Sequence, residues 1–90
     1  MNEETRKFLI DTYESLVVTD DQLNPQVVSL NAILDMVLTK NYPDDDCRYC
    51  NIDIGIALRL KHKIASLQKT NPHNYVPFVR WFIVDLLNGK

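Results

Sequence analysis

Apolar residues recur along this chain at intervals of three and four positions, the period of an α-helix with one buried face. Leu9, Tyr13, Leu16 and Val17 share a face with Ile10 at its edge, which predicts a first helix over 3–18. Glu3 and Glu4 stand where the positive end of that helix favours acids. Phe8 falls off the stripe, beside Thr12 and Ser15, and is either a second packing surface or a contact for a partner. Thr19 to Leu23 reads as a loop. Asn24 is then a good N-cap, and Pro25 suits the first helical position because its missing N–H is unpaired there anyway.

Val27, Leu30, Leu34, Val37 and Leu38, with Ile33 beside them, predict a second helix over 25–40. It is stopped by Asn41-Tyr42-Pro43 and three aspartates. Ile56, Ala57, Leu60, Ile64 and Leu67 mark the core face of a third helix over 52–68, with Asp46, Asn51 and Asp53 all able to cap it. Gly55 costs about 1 kcal/mol against alanine inside a helix, so either a close helix crossing or a frayed first turn should account for it. A fourth helix over 75–88 has Pro77 in its first turn and Gly89 as the residue just past its end.

That last helix is apolar nearly all round. Tyr75, Phe78, Val79, Phe82, Ile83 and Leu86 cover half of it, Leu87 widens the stripe, and Trp81 and Val84 lie on the otherwise polar side with Arg80 and Asp85. Either this helix is central and buried on most sides, or Trp81 and Val84 lie in an interface. The expected architecture is all-α, a small four-helix bundle or compact helical domain, with residues 1–90 forming one domain.

Composition sharpens this only in part. An apolar fraction of 46% permits a core. The longest pure apolar run, Trp81 to Val84, is far short of the ~20 residues that cross a bilayer. The polar, acidic start is wrong for a secretory signal, and two cysteines do not make a disulfide scaffold, so an intracellular, cytoplasmic setting is expected without a membrane partner. The net charge of −2 conceals a polarity: residues 1–46 hold ten acids and three bases, residues 47–90 seven bases and two acids. The halves either neutralise each other in the fold or present complementary faces to another molecule.

Three features carry chemistry. Arg59, Lys61, His62, Lys63 and Lys69 form a basic stretch with no acid between residues 54 and 84. Such a face is either solvated or holds a small phosphorylated ligand or an acidic protein patch. A polynucleotide is not expected, because the chain is net negative and shows no helix-turn-helix. Cys47-Arg48-Tyr49-Cys50 has the spacing of half a zinc site or a redox dithiol. His62 and His73 are the available completing histidines but match no common spacing, and cysteines packed as small apolar residues are the simpler reading. Asp44-Asp45-Asp46 lacks the alternation, glycine and closing glutamate of a calcium loop. No Gly-rich phosphate loop, nucleophile elbow or HExxH is present, so neither an enzyme nor a cofactor is expected.

The residues together predict a small intracellular protein-interaction module, self-associating and acting as adaptor or inhibitor of a larger protein, with Phe8, Arg59, Lys61, His62, Lys63, Lys69 and Trp81 as contact candidates. So compact a chain would suit a phage or accessory-gene product, an expectation that no residue carries. The alternatives are a homo-oligomeric binder of a small anionic ligand such as a nucleotide, and a zinc- or thiol-dependent regulator built on Cys47 and Cys50.

Overall fold

A computed structural model of the chain describes residues 1–16, 25–42 and 49–89. They form four helices: α1 (Glu3–Ser15), α2 (Pro25–Thr39), α3 (Ile54–Thr70) and α4 (Val76–Leu87). The loop at 19–23, the caps Asn24 and Asp46, the aspartates 44–46 and Cys47 lie outside the described residues. No helix among those described is long and apolar enough to cross a membrane.

Helix ends follow hydrogen bonds that the apolar stripes do not encode. Asn2 caps α1, its side-chain carbonyl accepting the Thr5 N–H at 2.8 Å. At the other end Leu16 has already turned to extended backbone, so α1 stops short of the predicted residue 18. Val17-Val18-Thr19 follows, a β-branched run of low helix propensity. Asp53 is the cap of α3, accepting the Ile56 N–H at 3.2 Å, which moves the start two residues past the predicted one. A β-carbon on Gly55 would meet that Asp53 carboxylate oxygen at 3.2 Å, so this exposed glycine sits beside the cap and not at a helix crossing.

α2 ends in a Schellman turn: Lys40 takes φ 55° and the Asn41 N–H donates to the Met36 carbonyl at 3.2 Å. A left-handed conformation is strained for any residue with a β-carbon. Lys40→Gly should therefore stabilise the fold by about 1 kcal/mol, the relief of that strain. Denaturant unfolding checks this, and a lower midpoint would contradict it. Gly89, at φ 79°, already fills the equivalent position after α4.

α2 packs on α3, α3 on α4, and α4 on α1. The core follows from this order: Leu9 and Leu16; Val27, Leu30, Leu34 and Val37; Ala57, Leu60, Ile64 and Leu67; Val76, Val79, Ile83 and Leu86. Because α4 lies between α1 and α3, two of its flanks are covered, which explains why it is apolar round so much of its circumference. Tyr13 on α1 and Arg80 on α4 join that pair, the guanidinium lying 4.3 Å from the ring centroid.

α1 buries a mixed face. Phe8 and Leu9 are in the core together with Thr5 and Thr12. Thr12 Oγ1 donates to the Phe8 carbonyl at 2.7 Å, and Thr5 Oγ1 accepts the Asp53 N–H at 2.9 Å. Both hydroxyls are satisfied, as burial requires. The second of these bonds, with Asn2 Nδ2 donating to the Asn51 carbonyl at 2.7 Å, ties the start of α1 to the residues that lead into α3.

Candidate interaction surface

Phe78, Trp81 and Asp85 are spaced three and four apart on α4, so they rise along one line on its outer side. Trp81 is 63% exposed and Phe78 38%. Their rings meet edge to face, with centroids 5.3 Å apart and planes at 86°, an arrangement aromatic quadrupoles favour. Phe82, one residue on from Trp81, is half-buried toward α3, where Lys63 Nζ lies 5.7 Å from its ring centroid. Leu67, one turn further along α3, is buried. Lys63, Leu67, Phe78, Trp81, Phe82 and Asp85 thus line a groove of about 210 Å³ between α3 and α4.

Its size and charge limit what it can hold. Small-molecule pockets run from about 300 to 1,000 Å³, so this groove fits a side chain better than a nucleotide. It carries one cation and one carboxylate, and Asp85 would repel a phosphate. Among the described residues neither Lys63 nor Asp85 has an ion-pair partner. A larger hollow of about 340 Å³ is lined by Thr12, Ser15, Pro25, Gln26, Ser29, Leu30 and Ile33. Neither a charged side chain nor any of the seven contact candidates is among these lining residues.

The sequence-predicted candidates separate in space. Lys63 and Trp81 come together in the groove. Lys61 does not join them: its ammonium forms an ion pair with Asp35 on α2. Arg59, His62 and Lys69 are exposed on α3, outside the residues that line the groove. The basic stretch is therefore divided in space, with Lys61 drawn to α2 and Lys63 lying beside α4. The Lys61–Asp35 pair also joins the basic and acidic halves, as a partly exposed bridge worth no more than about 1 kcal/mol.

Phe8, another of the contact candidates, lies in the core. It is 7% exposed and packs edge to face on Tyr49, centroids 5.9 Å apart. Trp81 is the reverse case, central by its helix yet open to solvent. Cys50 is half-buried, and His62 and His73 are exposed. No cluster of three or more His, Cys, Asp or Glu side chains that could hold a metal occurs among the described residues.

Sequence reading missed Phe78, Leu67, Phe82 and Asp85 as members of this surface. Phe78 and Phe82 belong by spacing to the apolar half of α4, yet Phe78 is exposed and Phe82 only half-buried. The signal that could have found the line was the spacing of Phe78, Trp81 and Asp85 itself. Comparison of the chain with protein-family models, with curated proteins and with solved structures gave no match.

Proposed function

We propose that this chain is a small protein-interaction module, and that its contact surface is the aromatic line of α4 with the adjoining groove. In this reading it acts by occupying the surface of another protein chain, as an adaptor or an inhibitor would. The observation that carries it is Trp81. Burying a large aromatic side chain gains roughly 1.5–3 kcal/mol, yet the fold leaves this one 63% exposed. Phe78 beside it is also open, so the exposure is a patch and not an isolated residue. Tryptophan is enriched among the residues that dominate binding energy at interfaces, and such residues sit in pockets ringed by polar groups. Lys63 and Asp85 supply that rim. A cytoplasmic setting belongs to the same proposal, since two cysteines are too few for the disulfide framework of a small secreted domain.

The test compares the wild-type chain with Trp81→Ala, each immobilised and exposed to extract of cells that express it. Trp81→Ala should remain folded, with stability changed by no more than about 0.5 kcal/mol, because the side chain is largely outside the core. Its binding should fall by about 30-fold, the loss expected for a dominant interface residue. Identical capture by both forms would overturn the proposal.

A further inference from the structure

We infer that the occupant of this groove is a second copy of the same chain, docked about a two-fold axis. The inference rests on the reading of α3 and α4 as the contact surface and names its partner. A knob and a hollow lie side by side here: Trp81 stands out, and the groove beside it is floored by Phe82 and Leu67. In a two-fold contact whatever one copy offers the other returns, so each Trp81 can enter the groove of its counterpart. The groove volume of about 210 Å³ suits a single side chain.

Charge selects this occupant over others. Lys63 and Asp85 flank the aromatic rings, and neither has an ion-pair partner among the described residues. Any molecule that seats on the rings strips water from both, and a desolvated charge without a partner is costly. The occupant must therefore bring a carboxylate toward Lys63 and a cation toward Asp85. A second copy brings both. As Trp81 enters the opposite groove, Asp85, one turn along the same line, meets Lys63 of the second copy at the groove wall, and the symmetry repeats the pair. An acidic or a basic partner would satisfy one charge and oppose the other.

Sedimentation equilibrium and native mass spectrometry on the purified full chain test this. The wild type should show a reversible monomer–dimer equilibrium, and Trp81→Ala should weaken it by about 30-fold. Lys63→Asp and Asp85→Lys should each weaken it by about 10-fold or more, by placing like charges opposite each other at both symmetric positions. The two single variants mixed should form a heterodimer in preference to either homodimer, and the double variant should regain association to within about threefold of wild type, because in both cases the charges are again opposed in sign. Circular dichroism of each variant establishes that it is folded.

A wild-type chain that stays monomeric across the accessible range overturns the inference. So does a dimer indifferent to both charge reversals, or single variants that fail to pair with each other. Failure here is distinguishable from failure of the module reading. If the chain is monomeric while capture of another protein still depends on Trp81, the surface is a contact surface and only the identity of its occupant is wrong.

Discussion

Leu60→Ala is expected to remove about 3 kcal/mol of folding free energy, within the range of about 2–5 kcal/mol seen for fully buried leucines. Leu60 has no exposed surface and lies on α3, which has neighbours on two sides, α2 and α4. The cavity left by truncation would be walled by helices that cannot close on it without losing their own contacts. A chain this size has a total stability of about 5–14 kcal/mol, so the loss is a large fraction of the whole. At about 4–8 °C per kcal/mol, the thermal midpoint should fall by about 12–24 °C. Denaturant unfolding followed by circular dichroism gives the number. A loss under about 1 kcal/mol would mean that α3 is not held between its neighbours as described.

The second large effect belongs to a polar side chain. Thr5 is completely buried, and its hydroxyl accepts the Asp53 N–H at 2.9 Å, the bond that fastens α1 to the cap of α3. Thr5→Val keeps the shape and removes the acceptor. The Asp53 N–H is then left without it, at a cost of about 2 kcal/mol. Thr5→Ser keeps the hydroxyl and loses one methyl group, which costs about 1 kcal/mol. Valine should therefore be the more damaging replacement, although it is the more hydrophobic. The opposite order in equilibrium unfolding would show that Thr5 matters for packing alone.

That pair of residues also shows where sequence reading reaches its limit. Helix centres were legible because leucine, isoleucine and valine at three- and four-residue spacing bury one face whatever the neighbours are, as on α2 and α3. Thr5 and Thr12 were not legible as core residues. Their burial depends on partners supplied by the fold, the Asp53 N–H and the Phe8 carbonyl. Once those threonines belong to the buried face, Phe8 does too, which is why it looked misplaced on a purely apolar stripe. Helix ends were less legible than centres for the same reason. Three residues before α3 could cap it, and Asp53 is the one whose carboxylate meets the Ile56 N–H.

The candidate surface was half legible. Trp81 stood out because it interrupts a polar side, and Lys63 because it belongs to a basic stretch. Their meeting depends on α3 and α4 lying side by side, which no periodicity encodes. The charge polarity was visible as a count. Its division was not: Lys61 is used within the fold by Asp35, while Lys63 stands beside aromatic rings. Val28, Ile54 and Leu58 show the converse limit, aliphatic residues that the fold leaves 55%, 43% and 44% exposed. Val28 lies on α2 and Ile54 and Leu58 one turn apart on α3, and a few exposed aliphatics are ordinary on a small domain.

Trp81 is the only tryptophan in the chain, so its fluorescence reports on the proposed contact surface without labelling. The direct measurement is the emission spectrum and acrylamide quenching of the wild-type chain as its concentration is raised from high dilution, and again as a captured partner is added. Water-like emission and ready quenching are expected at high dilution, then a shift to the blue and protection from quencher as the surface is covered. A tryptophan already protected at high dilution, or one that stays equally open under every condition of association, would contradict the proposed contact surface.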